Sequence, residues 1–184
     1  MTCGGTGGHI NPAIAVANRI KTISPGAEIA FVGTEKGMEA SLVPKAGYPI
    51  RFVKVRGFKR KLTLANIDAA VKAVTSVVAA KKIIRDFSPD VVIGTGGYVS
   101  WPTVKAAAKL GVPTLIQEQN AFPGVTQRML AKYADKICVS FEESRKFFDD
   151  AVQDKILLTG NPVAASAFTR AQAREKLGLA PDAL

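Results

Sequence analysis

Histidine occurs once in the 184 residues and cysteine twice, as His9, Cys3 and Cys138. The usual zinc sites need several Cys or His ligands at short spacing, so no metal is expected. With no CxxC pair, both cysteines read as small core residues in a reducing compartment. Long apolar runs are also missing: the stretch 69–80 is broken by Lys72, Thr75 and Ser76, far short of the roughly 20 residues of a membrane span. The chain enters a Gly-rich loop at once, with no charged segment leading into an apolar one. The expectation is a protein that is neither spanning nor secreted.

Acidic residues are scarce, 15 against 25 basic ones, and the excess is local. Between Arg51 and Arg85 ten bases face the single acid Asp68, so that window alone carries +9 of the formal +10. Such a field suits a polyanion, either nucleic acid or an anionic membrane surface, although a solvated lysine-rich face would look the same. Only Phe52 and Phe58 are aromatic there, which gives no stacking platform. No nucleic-acid partner is expected.

Apolar residues make up 47% of the chain and charged residues 22%, enough for a buried core. Apolar β-rich runs at 28–32, 50–55, 91–95, 113–117, 136–140 and 156–159 alternate with helical patterns at 12–23, 35–45, 66–86, 101–110, 124–133, 142–149 and 170–177. This alternation predicts an α/β fold, a Rossmann-like doubly wound parallel sheet. Several of its strands are apolar throughout, as a sheet covered on both faces requires. One such unit is expected over 1–165, with a helix and linker over 166–184. Only three residues precede Gly4 and Pro181-Asp182 reads as a linker, so the first strand is expected to be truncated and the chain to be half of something larger.

Three loops carry chemistry. Gly4-Gly5-Thr6-Gly7-Gly8-His9 leads into a helix with Pro12 expected in its first turn. Four glycines allow a sharp turn and close ligand approach, and a helix N-terminus favours a phosphate; a mere turn would need one glycine. Gly94-Thr95-Gly96-Gly97-Tyr98 repeats the pattern after the third strand, and Glu118-Gln119-Asn120 follows the fourth. Ligands of open parallel sheets bind beyond the C-terminal strand ends, so the loops suggest one crevice for a bulky diphosphate. His9 suits a general base, or else a structural hydrogen bond. Glu118, a carboxylate beside an apolar strand end, is the rival base.

The stretches Gly4 to Pro12, Pro89 to Tyr98, Glu118-Gln119-Asn120 and Thr159-Gly160-Asn161-Pro162 occur in the same order in the MurG family, which the sequence resembles over essentially its whole length. These enzymes transfer N-acetylglucosamine to lipid I in peptidoglycan synthesis. The resemblance implies a GT-B glycosyltransferase of two Rossmann-like domains, with this chain as the N-terminal, acceptor-binding half. It implies a single inverting displacement without metal or cofactor, by which UDP-N-acetylglucosamine glycosylates the 4-hydroxyl of an undecaprenyl-diphosphate-linked MurNAc-peptide, and a half that is inactive alone. Thr6, Gly7, Gly8 and Asn120 are expected on the donor side, with Gly5, Gly7, Gly96, Gly97, Tyr98 and Gln127 around the acceptor diphosphate. Two positions depart from the family: Ala164 stands where many members carry Arg, and Gln127 where many carry Asn. A transferase acting on another lipid acceptor, or a non-enzymatic basic domain, are the alternatives.

The acceptor's polyprenyl chain cannot leave the bilayer, so peripheral docking on the anionic cytoplasmic membrane is expected. An apolar stripe including Val71, Val74 and Val78, flanked by Lys59, Arg60 and Lys61, is the expected surface. The same stripe could instead face the protein's own sheet.

Overall fold

The computed structural model describes residues 1–55, 64–164 and 168–180, and of 64–74 the backbone alone. In chain order the elements are α1 (Gly7–Ile23), β1 (Phe31–Gly33), α2 (Glu39–Lys45), β2 (Ile50–Phe52), α3 (Leu64–Phe87), β3 (Val92–Gly94), α4 (Ser100–Lys109), β4 (Thr114–Glu118), α5 (Val125–Leu130), β5 (Lys136–Val139), β6 (Ile156–Leu158) and α6 (Arg170–Lys176). A 3₁₀ turn, Glu142–Phe147, stands where the pattern predicts a helix over 142–149, and a second, Asp150–Lys155, follows it.

All pairing is parallel: β1 with β2, and β3 through β6 in sequence. Thr2 joins the two halves by bridging Val32 on one side and Gly94 on the other. The N-terminal residues therefore lie at the centre of the sheet, and the chain winds outward from them in both directions. Expected strand 28–32 forms only from Phe31 onward.

Register assigns the faces. Val32, Ile116, Ile137 and Val139 share one side, buried with Ala80, Ile84, Val104 and Leu130 of α3, α4 and α5. Cys3 and Phe31 bury with Ile10, Ala13 and Ala17 of α1 and Val43 of α2 on the other. Burying a side chain such as Ile116 or Phe31 contributes about 1.5–3 kcal/mol, so the two clusters hold helices to both faces as a doubly wound sheet needs.

Helix α1 starts at Gly7 and not at residue 12. Thr6 is its extended cap (φ −137°, ψ 158°), with no side-chain cap bond. The His9 and Ile10 amides both donate to the Thr6 carbonyl, at 3.1 and 3.2 Å. Pro12 therefore sits inside the helix, where it supplies no N–H to the Gly8 carbonyl. The first turn carries the two glycines and the histidine.

In α3, Ser76, Ala80 and Ile84 point inward at four-residue spacing, while Val78 is 65% exposed. The expected membrane residues Lys59, Arg60 and Lys61, and the side chains of Val71 and Val74, lie outside the described residues.

Asp135 staples the starts of β4 and β5. Its Oδ2 accepts from the Thr114 amide at 2.8 Å and hydroxyl at 2.9 Å. The Thr114 N–H, and after it the hydroxyl, hold the carboxyl below the usual carboxylate range. Around the unfolded value of about 3.9 the unfolded state binds more protons than the folded one. The stabilisation is thus present above that pH and lost as pH falls through the lower folded value. Urea unfolding should show Asp135→Asn less stable than the parent near neutrality, with the gap closing at strongly acid pH. A gap of constant size across the range would contradict this.

Candidate active-site cleft

The sheet reverses its winding where Thr2 meets Gly94. The loop leaving the N-terminal residues enters α1 and leads to β1 on one side, whereas β3 and its loop lead to α4 and β4 on the other. The two Gly-rich loops therefore flank a topological switch point, where open α/β sheets bind ligands.

The loops touch backbone to backbone. Gly97 has φ +81°, and a β-carbon there would run into the Gly4 carbonyl. The Thr95 hydroxyl donates to the His9 carbonyl at 2.7 Å, and the Ser100 hydroxyl to the Gly96 carbonyl at 2.6 Å. Gln119 brings in the third loop by donating its amide to the Thr95 carbonyl at 2.8 Å. All three expected loops thus form one assembly, with Tyr98 exposed on its rim.

His9 sits half-buried at this junction. Its Nδ1 lies 3.0 Å from the Gly4 carbonyl oxygen, with the Thr6 hydroxyl more distant at 3.5 Å. A carbonyl only accepts, so its partner assigns the Nδ1–H tautomer, and the neutral ring then carries its lone pair on Nε2. The Cδ2–Nε2 edge lies over Gly96, where a β-carbon would come within 2.9 Å of Nε2. Glycine at 96 is what lets the imidazole lie there.

Gly7 and Gly8 differ from the glycines that close the junction, Gly4, Gly96 and Gly97. Neither has a positive φ, and a β-carbon on either would meet nothing closer than 3.6 Å. Each glycine costs a helix about 0.5–1 kcal/mol relative to alanine, and nothing within the described fold requires it. The first turn of α1 is thus bare of side chains at Gly7 and Gly8, beside Thr6, which is exposed.

Gly5, expected at the acceptor diphosphate, spends its N–H inward. It donates at 3.2 Å to Oε2 of Glu39, a residue the sequence reading did not single out. Glu39 is fully buried. Its Oε1 accepts from the Thr34 amide at 2.9 Å and the Thr34 hydroxyl at 2.7 Å. Among the described residues no ion pair reaches it. Burial, and after it the charge of Glu39, pushes the Cys3 thiol up to about 12.

Glu118 is likewise buried, 1% exposed, with both oxygens engaged. Oε1 accepts from the Asn120 amide and side chain, each at 2.8 Å, and Oε2 from the Gly124 amide at 2.9 Å. Its carboxylate organises the 118–124 loop and leaves Asn120 exposed. Gln127, expected beside the acceptor diphosphate, is instead 3% exposed beneath that loop. Its amide nitrogen donates to the Gln117 carbonyl while its oxygen is buried without a partner. The longer arm turns into the core.

The motif Thr159 to Pro162 and the departing position Ala164 line a groove of about 780 Å³ along α1 and the face of β4 and β5. Ala164 is exposed there and provides no donor or charge.

Comparison with known proteins agrees with this fold. The glycosyltransferase family 28 N-terminal domain matches residues 1–139. The chain is 48% identical, over 97% of its length, to an Acetivibrio thermocellus protein named UDP-N-acetylglucosamine–N-acetylmuramyl-(pentapeptide) pyrophosphoryl-undecaprenol N-acetylglucosamine transferase, of which it covers 48%. A relative of the same name from Alkaliphilus oremlandii is 52% identical over 89% of the chain and 44% of that protein. The chain thus spans about half the length of these curated relatives. The crystal structure of Acinetobacter baumannii MurG matches with a TM-score of 0.71 and 32% identity, covering 91% of this chain and 45% of that one. A UDP-GlcNAc 2-epimerase from Neisseria meningitidis, 15% identical with a TM-score of 0.63, shares the fold. The chain belongs to glycosyltransferase family 28, as its N-terminal domain.

Proposed function

We propose that this domain binds the acceptor in an inverting transfer of N-acetylglucosamine from UDP-N-acetylglucosamine to the 4-hydroxyl of MurNAc in lipid I, giving lipid II. The observation that carries the reading is the placement of His9, its Nε2 lone pair open at the junction of two Gly-rich loops. The relatives' names support the substrates. Since the chain spans about half of their length, most of the donor site is assigned to the other half.

In this mechanism Nε2 of His9 takes the proton of the acceptor hydroxyl. The hydroxyl oxygen bonds the anomeric carbon as the bond from that carbon to the UDP oxygen breaks, and the electron pair leaves with UDP. No protein nucleophile is needed for a single displacement. Gly7, with Gly96, Gly97 and Tyr98 opposite, holds the acceptor diphosphate by close backbone approach at the helix N-terminus, and Gly8 lies on the donor side. Thr6 and Asn120 face the donor. Glu118 holds its loop and is not the base, because three donors already occupy it. A base typically contributes about 10²–10⁴-fold, so holding two substrates together must supply most of the rest.

The domain works as a peripheral protein at the cytoplasmic face of the membrane. Among the described residues no helix is long and apolar enough to cross a bilayer. On α3, the exposed Val78 lies near the exposed Lys82 and Arg85, and each base near an anionic leaflet contributes about 1 kcal/mol.

In the transferase carrying this domain, His9→Ala should lower kcat by about 10²–10⁴-fold with lipid I as acceptor. A change confined to KM would make His9 a binding residue, and faster turnover of diacylglycerol than of lipid I would overturn the acceptor. Sedimentation with liposomes should require anionic lipid, weaken with salt, and be lost in a Lys59/Arg60/Lys61→Glu variant. Equal binding to neutral liposomes would contradict the membrane reading.

A further inference from the structure

We infer that Glu39 is a positioning residue for His9, acting through the single peptide unit between Gly4 and Gly5. The inference rests on the reading of His9 as the base. Among the described residues no peptide is cis, and a trans peptide directs its N–H and C=O to opposite sides. On one side the Gly5 N–H donates to Glu39 Oε2 at 3.2 Å; on the other the Gly4 carbonyl accepts from His9 Nδ1 at 3.0 Å. Carboxylate, peptide and imidazole form one hydrogen-bonded chain. It has the logic of a carboxylate that orients a catalytic histidine, with a peptide inserted between the two.

The surroundings are shaped for this chain. The Thr34 amide and hydroxyl clamp the other carboxylate oxygen from the end of β1. Three glycines clear its volume: a β-carbon at Gly4 would lie 2.9 Å from Oε1, one at Gly33 would lie 2.6 Å from Cγ, and one at Gly37 would overlap the carboxylate. Gly5 is needed for conformation and not for space. Its φ is +89° and nothing lies within 4 Å of where its β-carbon would be. That left-handed turn points its N–H at Glu39.

An anionic acceptor at one end of a hydrogen-bonded chain polarises the links, by about 10–30% per bond. The Gly4 oxygen becomes a stronger acceptor, which fixes the Nδ1–H tautomer and keeps the lone pair on Nε2. When Nε2 takes the acceptor's proton, the imidazolium Nδ1–H remains bonded to that oxygen. No proton crosses the peptide.

With one histidine in the chain, its imidazole nitrogen resonances report His9 alone. Nitrogen NMR of the unsubstituted protein above the imidazole titration should show the Nδ1–H form. Glu39→Gln has one oxygen, which stays with the two Thr34 donors and turns its NH₂ toward the Gly5 N–H. The His9 signal should then move toward the Nε2–H form favoured by free imidazole side chains. Thr34→Val loosens the same carboxylate but keeps the Gly5 bond, so its tautomer should match the parent. In the transferase carrying this domain, Glu39→Gln should lower kcat by about tenfold, the lower end for loss of an outer-shell partner, with acceptor KM little changed. The inference is overturned by an Nε2–H form in the unsubstituted protein, or by a folded Glu39→Gln that keeps the parent tautomer. A tautomer that follows Glu39 while His9→Ala retains full kcat would support the coupling and overturn the base instead.

Discussion

The rim of this domain is built around an approach of two backbones with no side chain between them. Gly97 packs on the Gly4 peptide so closely that a β-carbon would collide with it, and Gly96 does the same for the Cδ2–Nε2 edge of the His9 ring. The approach is possible because the loops leave adjacent positions at the sheet centre, where Thr2 bridges Gly94. Once the backbones meet there, His9 can reach back to the Gly4 carbonyl and the Thr95 hydroxyl can reach the His9 carbonyl. Broaden either loop by one methyl group and the histidine, the carbonyl that orients it and the bare helix turn beside it lose their common frame.

Two buried carboxylates keep that frame from relaxing. Glu39 and Glu118 each collect three hydrogen bonds from loop amides and nearby side chains. Hydrogen bonds to a charged group contribute about 1.5–3 kcal/mol each, enough together to offset the several kcal/mol that burying an ion costs. The arrangement consumes amides that would otherwise be free. Gly5 and Gly124 both turn their amides inward to the carboxylates.

The sequence made the sheet legible because its strands are apolar runs separated by helices, and all six formed in the expected order. It made the loops legible because clustered glycines have few other uses. It misplaced the start of α1, because Pro12 looked like a first-turn residue while Thr6 capped the helix from farther back. Gln127 was read as an amide extended toward ligand, but one additional methylene lets it fold under the loop onto Gln117. Glu39 was invisible as anything but a helix-start acid. Its donors come from Thr34 and from Gly5, on the far side of α1 in sequence, and only the flanking Gly33 and Gly37 hinted that something needed room. The basic stripe around residues 59–61 remains a reading of composition, since its side chains lie outside the described residues.

The central claim is that the junction of the two Gly-rich loops holds the acceptor diphosphate and presents the reacting hydroxyl to His9. A crystal structure of the transferase carrying this domain, with a soluble lipid I analogue bound, tests it most directly. The account predicts diphosphate oxygens against the Gly7 amide and the Gly96–Gly97 loop, and the MurNAc 4-hydroxyl within about 2.6–3.2 Å of His9 Nε2, the reach a general base requires. A diphosphate seated away from these loops, or a 4-hydroxyl directed at Glu118, would contradict it.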